Sequence, residues 1–315
     1  MRGQDARRRA ADACGVMQAI IVTGRLDVIA TPIGNLADLT ERARRALAEA
    51  DVIAAEDTRR TAVLLQAIGV SRPLVALHAH NERDRVPELL RRLAAGETVA
   101  LVSDAGTPLV SDPGFELVRQ AITAHIEVRS VPGASAVTAA LSVAGLPVDR
   151  FCFEGFLPAS AGERRARLGE LSHEARTMVF FEAPHRIAAS LEALAAVFGA
   201  EREAVLAREL TKAFETIYRG TLGELAAAAR TDGNIARGEL TVVVHGAAHA
   251  GQQGVDAALL RRTVDALATE LPPSRAAALV AQITGVKRSA AYELVREAAS
   301  RRRASEAGAD SEKER

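Results

Sequence analysis

The sequence predicts an α/β protein, with two α/β domains in succession and a small helical segment after them. Three observations lead there. In the first half, short runs rich in β-branched residues alternate with Leu/Ala/Arg segments of helical spacing. The pattern changes character after the stop signal Gly145-Leu146-Pro147. A linker-like run from Gly246 to Gly254 then sets three further helical patterns apart from the rest.

The first domain is expected over residues 25–147. Its strands are Leu26–Thr31, Asp51–Ala55, Leu74–Leu77, Thr98–Val102 and Ile126–Val131, each too short and too β-branched for a helix. Between them lie the helical segments Leu39–Ala50, Thr61–Ile68, Val86–Ala95 and Phe115–Ala124, followed by Ser135–Ala144. Strand–helix alternation implies a mostly parallel sheet covered on both faces. In the second domain, 148–246, strands are expected at Phe151–Phe156, Met178–Glu182, Ala204–Ala207, Glu215–Gly220 and Glu239–Val244. Helices Glu163–Ser172 and Ile187–Phe198 fall among the first three strands. Only the short helix Leu222–Ala229 separates the last two, so a mixed sheet is expected. After a linker at 247–255, residues 256–300 carry the helices Ala257–Thr269, Arg275–Ile283 and Ala290–Ser300, and 301–315 form a charged, disordered tail.

Composition narrows the function. At 315 residues the chain can build two real cores, and 48% hydrophobic with 25% charged residues is the usage of a soluble globular protein. No apolar run approaches a membrane span. Residues 1–24 carry Arg2, Arg7, Arg8 and Arg9 but no apolar core or cleavage site, so they read as a disordered extension, with Met17 a second candidate start. Cys14 and Cys152, far apart, support neither a disulfide framework nor a zinc site, and a cytoplasmic location follows. Net charge is zero, so contact with nucleic acid requires a local basic patch.

The chemistry gathers at strand ends, where open α/β sheets bind ligands. The most informative stretch is Ser103-Asp104-Ala105-Gly106-Thr107-Pro108-Leu109-Val110-Ser111-Asp112-Pro113-Gly114, which follows a strand. Asp104 is expected to touch a ligand, whereas Asp112 before Pro113 reads equally as a ligand contact or as a helix cap. The first strand ends in Thr31-Pro32-Ile33-Gly34-Asn35-Leu36 without the G-x-G-x-x-G of dinucleotide binding. Val131-Pro132-Gly133-Ala134-Ser135 opens a helix whose free N–H groups suit a carboxylate or phosphate. Glu56-Asp57-Thr58-Arg59-Arg60 and His78-Ala79-His80-Asn81-Glu82 each follow a strand and should crowd the same sheet edge as Asp104. Without a third ligand nearby, His78 and His80 read as a proton acceptor or RNA contact, and no metal is expected. In the second domain, Phe181-Glu182-Ala183-Pro184-His185-Arg186 and Ala207-Arg208-Glu209-Leu210-Thr211-Lys212 face a cleft in the same way.

Together with Asp149-Arg150-Phe151 and Glu154-Gly155-Phe156-Leu157-Pro158, these segments resemble, in order from Leu26 to Val244, the ribosomal RNA small subunit methyltransferase I family. These are 16S rRNA cytidine-1402 2′-O-methyltransferases of the tetrapyrrole-methylase-like class. Ala79 departs from the acidic residue expected there in many relatives. The resemblance implies S-adenosylmethionine bound between the two α/β domains of a homodimer. By position, Pro32, Ile33, Gly34, Asp104, Ala105, Gly106, Thr107, Pro108, Gly133, Ala134, Ser135, Phe181, Glu182 and Ala207 would face that cofactor. His80 or Glu209 would take the proton from the ribose hydroxyl, with Lys212 and Arg59 holding RNA phosphates or the developing oxyanion. Glu56, Asp57, His78, Asn81 and Arg208 complete the expected contacts to the small-subunit 16S rRNA.

The C-terminal helices resemble a helix-turn-helix about Gly285 to Ser289. Nine Lys/Arg against five Asp/Glu between Asp256 and Arg303 give a net charge of +4, a modest basic footprint. Without tryptophan and with two tyrosines, RNA would be held through phosphate, ribose and shape. Two other readings use the same scaffold: a tetrapyrrole or diphthine methylase, or a ligand-sensing regulator built on the C-terminal helices.

Overall fold

The computed structural model describes residues 24–247 and 257–313, with side chains over 24–247 and 260–301. The extension expected at 1–24 and the linker expected at 247–255 lie, but for Gly24 and Ala247, outside the described residues, as do Cys14 and Met17.

The first domain runs β1 (Arg25–Ile29), α1 (Glu41–Glu49), β2 (Val52–Ala55), α2 (Thr58–Ala67), β3 (Leu74–Ala76), α3 (Glu82–Ala94), β4 (Thr98–Val102), α4 (Phe115–Thr123), β5 (Glu127–Val131) and α5 (Ala136–Ala144). Its strands pair in the order β3-β2-β4-β1-β5, all parallel. The two-residue period of a strand builds two separate cores. Val52, Ala54, Val99 and Leu101 pack with Leu89 and Leu93 of α3 and Leu117 of α4. Their alternates Ile53, Ala55, Ala100 and Val102 pack with Leu47 of α1 and Leu65 of α2. The sheet is thus covered on both faces, as the strand–helix alternation implied.

The second domain runs β6 (Phe151–Phe156), α6 (Ala161–Leu171), β7 (Thr177–Glu182), α7 (Ile187–Phe198), β8 (Glu203–Arg208), β9 (Thr216–Thr221), α8 (Leu222–Thr231) and β10 (Leu240–Val244). The order is β6-β7-β10-β8-β9, parallel only between β6 and β7, so the sheet is mixed as expected. One face packs under α6, α7 and α8, through Met178, Phe180, Leu206 and Val242 against Leu168, Leu191 and Leu225. The opposite face receives α5: Val137, Ala140, Leu141 and Ala144 bury against Val179, Val205, Ala207 and Val243. The last helix of the first domain therefore joins the two sheets.

Helices α9 (Ala257–Glu270), α10 (Pro273–Thr284) and α11 (Arg288–Lys313) enclose a small core of Val264, Ala276, Val280, Ala291 and Val295. The backbone of α11 continues past Ser300 to Lys313, where the sequence pattern suggested a disordered tail. The residues there include the helix formers Arg, Ala and Glu and no proline, and the helix runs through the one glycine, Gly308.

Two helices begin earlier than their apolar periodicity suggested, because their first turns are polar. Asp57 accepts the Arg59 N–H at 2.9 Å and opens α2 at Thr58, and Asn81 precedes α3 at Glu82. The capping role expected of Asp112 is corrected. Gly114, at φ +115°, delays the start of α4 to Phe115, out of that side chain's capping position. The cap comes from α3 instead: Glu82 Oε1 accepts the N–H groups of Gly114 and Glu116 at 3.2 and 3.1 Å. Glu82→Ala is expected to lower the unfolding free energy by about 1 kcal/mol in urea titration, and Glu82→Gln, which keeps the acceptor, to lose less.

Candidate active site

A cleft of about 410 Å³ opens between the two domains. That volume falls in the usual range for small-molecule sites. Its floor on the first-domain side is the loop after β4, which two backbone hydrogen bonds between Thr31 and Gly106 tie to the end of β1, at 2.9 and 3.0 Å. The buried Thr31 hydroxyl adds a bond to the Ser103 carbonyl at 3.2 Å. Thr107 Oγ1 donates to the Ala134 carbonyl at 3.2 Å, linking the same loop to the turn before α5. The loop carries Leu109 and Ser111 in the left-handed region, at φ 72° and 68°, a conformation that side chains other than glycine adopt only when their surroundings impose it.

Polar groups converge on this floor. Asp104 Oδ1 accepts the Asp57 N–H at 3.0 Å, its Oδ2 lies 3.2 Å from Arg60 Nη1, and its own N–H donates to Glu56 Oε2 at 3.3 Å. Ser135 precedes the first residue of α5, yet its hydroxyl makes no cap, so it is available to a ligand beside the helix's free N–H groups. Half-buried Asp112 also lines the cleft, and its carboxyl is pushed up to about 6. Burial is the main cause, the Ser103 hydroxyl opposes it, and the charges of Glu56 and Asp104 add to it.

The opposite wall is more apolar. Phe181 stands edge-on to Phe156 at 5.7 Å between ring centres, and Leu210 and Leu240 continue the surface. Glu182 is buried and fully engaged: Oε2 accepts from Ser190 Oγ at 2.5 Å, Oε1 from the Ala183 N–H at 2.8 Å, and Arg186 Nε lies 3.2 Å away. It organises the turn after β7 while bordering the cleft.

Lys212 lies in a second ionic cluster. Its Nζ donates to Glu209 Oε1 at 2.8 Å and sits 3.2 Å from Glu239 Oε2. Burial pulls the ammonium down, but the two carboxylates outweigh it and the group is raised. Lys212 in turn holds the Glu209 carboxylate below its ordinary range. Glu209 also accepts the Glu239 N–H at 2.9 Å, and both Glu209 and Thr211 are left-handed, at φ 52° and 65°. The stem of Lys212 crosses Gly34 so closely that a Cβ there would lie 2.4 Å from Lys212 Cγ. Gly34 therefore gives clearance where the two domains meet.

The residues singled out in the sequence divide clearly. Ile33, Glu56, Asp104, Ala105, Gly106, Thr107, Ser135, Phe181 and Glu182 line the cleft. Pro32, Gly34, Pro108, Gly133, Ala134 and Ala207 lie close by in sequence or on a neighbouring strand but do not themselves line it. Asp57 and Arg59 pair with each other at 2.7 Å, and Arg59 is 89% exposed, whereas its neighbour Arg60 reaches the cleft. Asn81 accepts the His78 N–H and donates to the Ala76 carbonyl, at 2.8 and 3.0 Å, and so shapes its own loop. Arg208 does the same for the carbonyls of Arg237 and Phe214, each at 3.0 Å. Neither His80, which is exposed 6.1 Å from the His78 ring, nor Glu209 nor Lys212 is part of the lining. Sequence reasoning placed Arg60 in the polar cluster at this edge without giving it a role, and missed Val110, Ser111, Phe156, Glu239 and Thr241 as cleft residues. Val110, Ser111 and Phe156 stand inside the strand-end motifs, so position alone could have suggested them. Among the described residues no group of three or more His, Cys, Asp or Glu is arranged to hold a metal, and no helix is long and apolar enough to cross a membrane.

Gly34→Ala is expected to cost about 1–3 kcal/mol by displacing Lys212. Combined with Lys212→Ala it should cost less than the sum of the two, as a double-mutant cycle in denaturant would read. Asp112 should make stability fall with pH. A carboxyl raised in the folded state binds its proton more tightly than the unfolded chain does. Its contribution is therefore present below about pH 4 and lost as pH rises through about 6. Thermal unfolding of Asp112→Asn, which stays neutral, should match the wild type at low pH and exceed it above that window.

The sequence profile of the Tetrapyrrole (Corrin/Porphyrin) Methylases matches residues 25–226, and that of the RsmI C-terminal HTH domain matches residues 254–298. A ribosomal RNA small subunit methyltransferase I of Xylella fastidiosa is 54% identical over 85% of this chain and 98% of its own. The protein of that name from Pseudomonas aeruginosa is also 54% identical, over 86% of this chain and 96% of its own. Among solved structures, that of the methyltransferase CobJ superposes with a TM-score of 0.54 at 24% identity, covering 72% of this chain and 95% of that one, which is a likeness of fold. On the extent of these matches, the chain belongs to the ribosomal RNA small subunit methyltransferase I family, within the tetrapyrrole methylases.

Proposed function

We propose that this protein methylates the 2′-hydroxyl of a cytidine ribose, cytidine 1402, in the 16S rRNA of the small ribosomal subunit, with S-adenosylmethionine as donor. The observation that carries this reading is the 54% identity to ribosomal RNA small subunit methyltransferases over 85% of the chain. The chemistry of the cleft fits the donor. Ile33, Phe156, Phe181, Leu210 and Leu240 offer apolar surface for an adenosine. Ser135 and the N-terminal amides of α5 suit a carboxylate, and Glu56 and Asp104 suit an ammonium. When bound, S-adenosylmethionine supplies an electrophilic methyl on a cationic sulfur.

The chain's own work is then to hold both reactants and exclude water. Positioning of this kind lowers a barrier by about 7–11 kcal/mol in ideal cases. Asp104 to Thr107 and Ser135 would hold the donor from the first domain, and Phe181 and Ala183 from the second. Pro32, Gly34, Pro108, Gly133, Ala134 and Ala207 would set the backbone behind them. At the rim, exposed Arg59 and the His78–His80 pair would meet RNA, with Asp57, Asn81 and Arg208 holding the loops that present them. Lys212, fixed by Glu209, would complement phosphate or the developing negative charge. On this reading the protein acts in the cytoplasm as a homodimer, and the α9–α11 bundle adds phosphate contacts through its excess of arginine and lysine.

Incubation with labelled S-adenosylmethionine and assembled small subunits, followed by nucleotide mapping, tests the activity. Label in the ribose of one 16S cytidine is expected, and label on a base or on no nucleotide would reject it. Removal of the residues after Gly254 should weaken RNA binding. It should also flatten the dependence of log K on log salt by about 0.7–0.9 for each phosphate that the bundle neutralises, and an unchanged slope would exclude the bundle from binding.

A further inference from the structure

Five carboxylates line the cleft: Glu56, Asp104, Asp112, Glu182 and Glu239. Four are already engaged. Glu56 accepts the Asp104 N–H, and Asp104 takes the Asp57 N–H and Arg60. Glu182 holds Ser190, the Ala183 N–H and Arg186, and Glu239 is paired with Lys212. Asp112 differs. Among the described residues it has no ion pair and no backbone N–H donor, and the one polar group that acts on it favourably is the Ser103 hydroxyl. Its segment is nevertheless held firmly. The Thr31–Gly106 bridge anchors the loop on one side. On the other, Gly155 in the bulge of β6 approaches Ser111, where a Cβ would stand 3.3 Å from Oγ. A half-buried carboxyl left without a cation, on a segment with a strained backbone, is the arrangement that a proton acceptor requires.

We propose that Asp112 accepts the proton of the ribose hydroxyl during methyl transfer. The inference rests on the methyl-transfer reading above. In the step, the hydroxyl oxygen forms its bond to the methyl carbon, and the carbon–sulfur bond breaks with its electrons remaining on sulfur. The O–H proton passes to the Asp112 carboxylate, so that a cationic donor and an anionic carboxylate become a neutral thioether and a neutral acid. The acid later returns its proton to water.

Asp112 suits this role better than the two acceptors expected from the sequence. Glu209 is weakened as a base by its bonds to Lys212 and the Glu239 N–H, and His80 stands outside the lining. Desolvation makes the Asp112 carboxylate a stronger base than an ordinary one. The charges around it are Glu56 after β2, Arg60 in α2, Asp104 on its own loop, Glu82 at the start of α3, Glu154 with Arg167 beside the β6 bulge, and Glu182 and Glu239 across the cleft. Acidic neighbours outnumber basic ones, which favours the protonated product.

The test compares wild type, Asp112→Asn and Asp112→Glu in single-turnover methylation of assembled small subunits across pH, with S-adenosylmethionine affinity measured by calorimetry. Asp112→Asn is expected to slow transfer by about 10²-fold or more with donor affinity unchanged. It should also abolish the limb along which the wild-type rate rises with pH, whereas Asp112→Glu restores part of the rate and the limb. Wild-type turnover by Asp112→Asn would overturn the proposal. A drop in donor affinity that accounts for the slower rate would also overturn it, by making Asp112 a donor ligand. If Asp112→Asn fails to fold, the wild-type profile decides, since a rate flat with pH on the acid side excludes a titrating acceptor. A wild type that methylates no ribose would remove the methyl-transfer reading itself, a result distinct from an active Asp112→Asn.

Discussion

The burial of α5 against the second sheet holds the site together. Val137, Ala140, Leu141 and Ala144 belong to a helix that follows β5 of the first sheet, yet they pack on Val179, Val205, Ala207 and Val243 of the second. The helix carries alanine at 136, 139, 140 and 144, and such small side chains let it lie close to the strands. Interiors packed at this density do not slide, so the separation of the domains is set by the contact. Ser135, immediately before the helix, is thereby brought to the cleft opposite Phe181 and Leu240. The cleft is thus a product of core packing, and its polar floor is carried on a hydrophobic joint.

Two loops complete the walls, and both contain conformations their own residues do not favour. Leu109 and Ser111 on one side, and Glu209 and Thr211 on the other, take left-handed backbones. Each loop is tied from outside, the first by Thr31 and Ala134 and the second by Glu239 and Glu215. Such local cost persists where surrounding contacts over-determine the backbone, and here it fixes the direction of the side chains beside the cleft. Lys212 passing over Gly34 adds a steric link between the domains at the same level, and its bond to Glu209 holds it there.

Much of the fold was legible in the chain. Strand–helix alternation pointed to a parallel sheet with two covered faces, and the lone short helix between the last two strands pointed to a mixed one. Helix starts were misplaced where a polar first turn precedes the apolar stripe, with a side-chain cap at Asp57 and none at Asn81. The Asp112-Pro113 pair misled in the opposite direction, because a cap can be supplied from a distant helix and Glu82 supplies this one. Arg59 and Arg60 are indistinguishable as a dipeptide. Which of them turns toward Asp104 depends on the helical rotation of α2 against the sheet. Glu239 and Thr241 carried no motif, since they reach the cleft only through the antiparallel pairing of β10 with β7 and β8.

The sequence by itself determined which strand ends are polar, that their segments resemble one methyltransferase family, and that the chain divides into two α/β units and a helical end. These are properties of local pattern, in which each residue's type and spacing carry the signal. Only the tertiary structure decided which of the polar residues meet. Glu182 became a buried organiser of its turn, Glu209 a partner of Lys212, and Asp112 a cleft carboxylate with neither an ion pair nor a backbone N–H donor among the described residues. Pairing of this kind depends on through-space distance and on exclusion from water. Both are set by the packing of α5 between sheets that are far apart in sequence.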